Sequence, residues 1–70
     1  MNRIPVESSN LRSVGYDSAT RILEIEFHGS GIYQYSGVPE YEYNGLMNAS
    51  SKGSYFAQNI KNKYSYRKVG

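Results

Sequence analysis

The chain contains no cysteine and a single histidine, His28. Without cysteine there is neither a disulfide framework nor a thiolate metal site to strengthen a small fold. Without a second histidine, and with no serine that has an evident base beside it in sequence, the usual nucleophile and base pairings have no components. No apolar run approaches the roughly 20 residues of a membrane span, and no signal-peptide core opens the chain. Together with the missing cysteines, these absences point to a cytoplasmic protein with no cofactor or metal. Acid is also missing from one end. Up to Ser51 three arginines face six carboxylates, a net charge of −3, whereas Lys52, Lys61, Lys63, Arg67 and Lys68 follow with no acid at all, a net charge of +5.

What the chain has in quantity is tyrosine, eight in 70 residues. A single domain of this size buries only about 60% of its unfolded surface, and its stability is expected at roughly 3 to 10 kcal/mol. Tyrosines suit such a core because each brings a large ring whose hydroxyl can sit at the margin.

The strongest local pattern runs from Arg21 to Tyr35. Leu23, Ile25 and Phe27 alternate with Ile22, Glu24, Glu26 and His28, the period of a half-buried strand. After Gly29-Ser30-Gly31, Tyr33 and Tyr35 alternate with Ile32 and Gln34, which predicts a second, antiparallel strand. Loop length decides where the tyrosines face, since a shift of one residue sends every side chain through the sheet. A three-residue loop, Gly29-Ser30-Gly31 with Gly31 left-handed, sets Phe27 opposite Tyr33 and Ile25 opposite Tyr35 and gathers all four rings and branches on the core face. A two-residue loop, Gly29-Ser30, sets Phe27 opposite Ile32 and turns both tyrosines toward Glu24 and Glu26. The first is preferred because it segregates the apolar rings from the acids.

Around this hairpin, Met1 to Glu7 lacks periodicity and contains Pro5, as a flexible tail lying against the body would. Leu11 to Tyr16 is a first strand with Val14 and Tyr16 inward and a bulge expected near Gly15, and Asp17-Ser18-Ala19-Thr20 is a turn. Val38-Pro39-Glu40 reads as a helix start, with Glu40 and Glu42 at the positive end of the dipole and Tyr43, Leu46 and Ala49 or Ser50 on one face. Gly45 costs such a helix about 1 kcal/mol relative to alanine and marks close packing or an irregularity. Ser50 to Ser54 breaks it and offers caps for a second helix, in which Phe56, Ile60 and Lys63 or Tyr64 recur at helical spacing. Tyr64 to Val69 alternates weakly and fits either a last short strand or a trailing segment. The expected fold is α+β: a three-stranded antiparallel meander followed by two short helices packed on one face.

Ser8-Ser9, Val14-Gly15-Tyr16, Leu23-x-Ile25-x-Phe27, Gly31-x-Tyr33-x-Tyr35, Val38-Pro39, Leu46, Ala49, Ser51-x-Gly53, Tyr55-Phe56, Ile60 and Tyr64 together resemble the KTSC domain, over roughly Val6 to Val69. That small bacterial module is named for the C-terminus of some lysyl-tRNA synthetases and also stands alone. Tyr33-Gln34-Tyr35 is the most recognisable part. Ala57 departs from the polar residue that the family often carries there. The resemblance implies RNA, or an RNA-containing complex, as the partner.

Four sets of residues are candidate sites. Lys52, Lys61, Lys63, Arg67 and Lys68, interleaved with Tyr55, Tyr64 and Tyr66, have the composition of a nucleic-acid footprint, cations for phosphates and rings for bases; a solvated charged helix face has it too. Tyr33 and Tyr35 could stack on bases, but with Phe27 and Phe56 they read better as core. Ser51-Lys52-Gly53-Ser54 could hold an anion at a helix start, though it lacks phosphate-loop spacing and ordinary capping explains it. Glu24 and Glu26, roughly 7 Å apart on one strand face, have a spacing that paired carboxylates can use, but a solvated sheet face is the simpler reading. The chain is therefore read as a non-enzymatic binding module with RNA as its expected partner. The other reading is a protein-interaction or self-associating adaptor, a homodimer through an exposed sheet edge.

Overall fold

A hairpin of β3 (Ile22–Phe27) and β4 (Gly31–Ser36) forms the centre of the sheet, in a computed structural model that describes all 70 residues. Leu23 pairs with Tyr35, Ile25 with Tyr33 and Phe27 with Gly31. The loop is thus His28-Gly29-Ser30, closed by the Ser30 amide donating to the Phe27 carbonyl at 3.3 Å. The expected facing of the tyrosines holds, but the pairing is displaced by two residues from the one expected. A displacement of two leaves the face unchanged because the side-chain period is two. The displaced strand end also meets a part of the chain far away in sequence. Gly31 has the expected positive φ, 95°, yet belongs to the strand. A β-carbon there would meet the Gly70 carbonyl and lie 3.0 Å from the Lys68 side chain.

The sheet has five antiparallel strands in the order β1-β2-β3-β4-β5, which corrects the three-stranded expectation. β2 (Leu11–Asp17), β3 and β4 are the meander that was expected. To one edge the segment expected as a tail adds β1 (Ile4–Pro5), and to the other the chain returns from the helices as β5 (Ser65–Lys68). The bulge in β2 lies between Leu11 and Ser13 and not at Gly15. The extra residue lets both Leu11 and Val14, three positions apart, reach the core, where neither is exposed. Gly15 serves a different need: a β-carbon there would sit 2.6 Å from the Asn2 carbonyl oxygen and 3.2 Å from Arg3 Cγ, so the glycine admits the N-terminal segment across β2.

Two helices, α1 (Glu40–Asn48) and α2 (Lys52–Asn59), cover one face of the sheet. The core is Leu11, Val14, Leu23, Ile25, Phe27, Tyr35, Val38, Leu46, Phe56 and Ile60. Tyr16 stacks on Tyr43 with centroids 4.9 Å apart and donates its hydroxyl to the Val38 carbonyl at 2.6 Å. No helix is long and apolar enough to cross a membrane. The opposite face is polar and internally paired. Arg3 lies across it, bonding Glu24 at 2.5 Å and Ser13 at 3.0 Å, while Gln34 donates to Glu24 at 2.9 Å and Ser13 to Glu26 at 3.0 Å. The Gln34 bond, with Arg3, holds the Glu24 carboxyl below the usual carboxylate range against the pull of its burial.

The helix interface holds one surprise. Glu42, expected at the positive end of the α1 dipole, is only 3% exposed. It accepts the Tyr55 hydroxyl at 2.6 Å, the Tyr64 hydroxyl at 2.8 Å and the Lys63 ammonium at 3.3 Å. Burial alone would raise its pKa, but those donors and the lysine charge outweigh burial and hold it below the ordinary value. The bond to Glu42 and desolvation push Tyr55 up to about 12. Gly45 belongs to the same arrangement, since a β-carbon there would strike the Tyr55 hydroxyl and stand 2.7 Å from Cζ.

Two expected outcomes follow from this interface. Gly45→Ala, which helix propensity alone predicts to stabilise by about 1 kcal/mol, is expected to destabilise by about 1 to 3 kcal/mol in urea denaturation, because Tyr55 is pinned to Glu42 and cannot swing aside. Glu42→Gln is expected to cost about 1.5 to 3 kcal/mol at neutral pH. Because the folded pKa is depressed, the contribution of Glu42 is complete above about pH 5 and is lost as pH falls through the ordinary value of about 4.3 and below it. Stability measured from pH 7 to pH 3 should therefore fall less steeply in Glu42→Gln than in wild type, with Glu24 supplying the remaining slope. An equal slope in both proteins would contradict the assignment.

Candidate functional site

Because β5 pairs with β4 beyond the reach of the helices, the edge of the helix-covered face stays open as a groove of about 330 Å³. Register explains who lines it. Tyr35 lies opposite Tyr66 and Tyr33 opposite Lys68, so those four side chains share the face of Phe27. Phe27, Tyr35 and Phe56 form the floor, with Phe27 and Phe56 centroids 5.1 Å apart and Tyr35 and Phe56 5.5 Å apart. Tyr33 and Tyr66 form a wall, with their centroids 5.9 Å apart, and Tyr66 also packs on Tyr35 at 5.6 Å. Asn10, Ser30, Lys61 and Asn62 stand at the rim.

The groove combines rings in graded exposure with positive charge. Tyr35 is 4% exposed, Tyr33 is half-buried and Tyr66 is 61% exposed. Burial, and then the neighbouring Tyr66 and Tyr33, push the Tyr35 pKa up to about 12. Lys61 and Lys68 make no ion pair. A planar group could lie with one face against the exposed Tyr66 ring, and cations at the rim suit an anionic chain carrying that group.

The basic segment does not act as one surface. Lys61 and Tyr66 line the groove and Lys68 lies beside Tyr33. Lys63 and Tyr64 are instead committed to Glu42. Arg67 projects from the opposite face, where it reaches Gln34 at 3.4 Å. Lys52 sits at the far end of α2 and donates to the Ala49 carbonyl at 3.2 Å. The two readings of the central tyrosines merge: Tyr35 is core and Tyr33 is partly core, and both border the groove. Asn10, Ser30 and Asn62 were not singled out in the sequence, because only the return of β5 reveals which polar residues frame the opening.

A second, polar groove of about 490 Å³ runs between the Ser8–Asn10 turn and the start of α2. Its key hydroxyls are already engaged. Ser8 Oγ accepts the Asn10 and Leu11 amides, each at 3.2 Å, and Ser51 Oγ accepts the Ser54 amide at 3.3 Å as the helix cap. Capping accounts for Ser51-Lys52-Gly53-Ser54. Glu24 and Glu26, weighed as a carboxylate pair, are both tied to Arg3, and Glu24 is held toward its ionised form, the opposite of what a general acid needs.

Known proteins share both the sequence and the arrangement. Residues 7–64 match the model of the KTSC domain. An uncharacterised protein of Stutzerimonas stutzeri is 40% identical over 70 residues, covering 99% of both chains. A lysine–tRNA ligase of Trichormus variabilis is 38% identical over 63 residues, which span 90% of this chain but only 11% of the ligase. The crystal structure of a KTSC domain protein from Yersinia pestis superposes with a TM-score of 0.97 at 49% identity, covering 99% of this chain and 97% of that one. With a family-model match over residues 7–64 and a relative 40% identical along nearly the whole of both chains, the chain belongs to the KTSC domain family.

Proposed function

We propose that this domain is a non-enzymatic binding module that takes single-stranded RNA in the groove between β4, β5 and the end of α2, in the cytoplasm. The observation that carries the reading is Tyr66, exposed yet packed against Tyr33 and Tyr35, beside an unpaired Lys61. An exposed ring held by its neighbours is a stacking platform, worth about 1 to 3 kcal/mol per base. The lysine–tRNA ligase that carries a similar segment is named for a tRNA substrate, which favours RNA among anionic chains.

Contact with two lysines rather than five predicts weak electrostatics. Single strands lose roughly 0.7 units of log affinity per log unit of salt for each phosphate neutralised, so a slope of about −1.4 is expected. Fluorescence anisotropy with a short unstructured RNA, titrated across a salt series, measures it. Tyr66→Ala should weaken binding by about 1 to 3 kcal/mol and Lys61→Ala should flatten the salt slope, whereas Arg12→Ala on the opposite face should change nothing. Binding absent from wild type, or untouched by both groove substitutions, would overturn the proposal.

The adaptor reading has one observation in its favour, the free outer edge of β5, exposed at all four residues. Arg67 and Lys68 on that edge would place like charges together in a strand-to-strand dimer. Light scattering is therefore expected to give a monomer; a dimer that dissociates when Tyr66 is replaced would favour the adaptor.

A further inference from the structure

Three of the half-buried tyrosines packed against the core hand their hydroxyls to protein acceptors, while Tyr33 and Tyr43 have none. Tyr16 donates to the Val38 carbonyl, and Tyr55 and Tyr64 donate to Glu42. Tyr35 is more deeply buried than any of these, at 4% exposure, and its hydroxyl has no partner in the protein. Its ring is fully explained by contact with Phe56 and Tyr66, and phenylalanine would supply those contacts without desolvating a hydroxyl. No sealed side-chain oxygen or nitrogen anywhere in the chain lacks a partner, so the Tyr35 oxygen must open into the groove that its residue lines.

We infer that the groove admits one unpaired nucleobase of the RNA strand edge-first, with its polar edge bonded to the Tyr35 hydroxyl and one face against Tyr66. This rests on the RNA reading given above and adds to it how the base is held. The floor of Phe27, Tyr35 and Phe56 offers aromatic surfaces whose negative faces disfavour phosphate, so the base enters and the backbone stays outside. Lys61 at the rim meets the backbone there, and the amides of Asn10 and Asn62 lie beside the entrance. Burial keeps the Tyr35 proton in place well above neutrality, so the hydroxyl can donate to a ring nitrogen or carbonyl oxygen of the base across the physiological range.

Tyr35→Phe removes one oxygen and leaves the ring packing in place. With an eight-nucleotide RNA, this variant is expected to bind about five- to fiftyfold more weakly than wild type, because the base edge loses its partner. An abasic oligomer of equal length should bind both proteins weakly and equally. A single 2-aminopurine in the strand should be quenched on binding to wild type as the base meets the rings, a measurement that does not depend on the variant. Should Tyr35→Phe bind normally while Tyr66→Ala is impaired, bases lie on the surface, the inference fails and the RNA reading stands. A loss shared by the abasic oligomer would assign the hydroxyl to the backbone and overturn the inference, as would 2-aminopurine that stays bright. RNA that fails to bind wild type at low salt removes both readings.

Discussion

Three donors converging on the Glu42 carboxylate hold the parts of this domain in register. The acceptor belongs to α1, the Tyr55 hydroxyl to α2, and Lys63 and Tyr64 to the segment that leads into β5. A buried carboxylate is costly unless its lone pairs are met, and here they are met by residues from separate elements. The interaction therefore acts as a clasp. It contributes modest net stability, but it penalises any arrangement in which α2 or the chain after it is misplaced, since that would leave the carboxylate buried without partners. Because Tyr64 immediately precedes β5, the clasp also determines where the last strand meets the sheet. The groove has no wall without that strand.

The return of β5 turns the edge of a core into an open groove. In a four-stranded sheet Tyr33 and Tyr35 would terminate the core face and their rings would be covered or wet. With Tyr66 laid across them they form a continuous set of rings graded from buried to exposed. Close approach at the far end depends on the missing side chain of Gly31, where the Gly70 carbonyl and the Lys68 side chain occupy the space a β-carbon would need. Ile32 accepts the amides of Val69 and Gly70 at 2.8 and 3.2 Å, so the chain end itself extends the sheet. A glycine in the loop sequence thus does its work for the opposite terminus.

How much of this was legible in advance follows from the range of the interactions. Alternation in Leu23-x-Ile25-x-Phe27 and in Tyr33-x-Tyr35 is local, so the strands and the face of the tyrosines could be read directly. The register could not, because it depends on the pairing of Gly31 with strand residues and on the chain end behind it. β1 and β5 are short, and their pairing partners rather than their own composition make them strands. Glu42 misled for a different reason: an acidic residue in a first helical turn has an ordinary role at the dipole, and nothing nearby in sequence announces two hydroxyls and an ammonium arriving from 13 to 22 residues away.

The same distinction bears on function. Five cations after residue 51 look like one footprint, but alternation along β5 sends Arg67 to one face and Lys68 to the other, and the clasp ties Lys63 to Glu42 although its side chain stays solvent-exposed. A count of positive charge therefore overstates what a polyanion can meet in one place. Tyrosine content needs the same correction. In a core this small each ring supplies area, but each hydroxyl must find an acceptor or face water. Tyr16, Tyr55 and Tyr64 spend theirs on holding elements together, whereas Tyr35, the most deeply packed tyrosine, has no acceptor in the protein and borders the groove. Where a protein could have used phenylalanine at less cost and did not, the hydroxyl is best understood by what approaches it from outside.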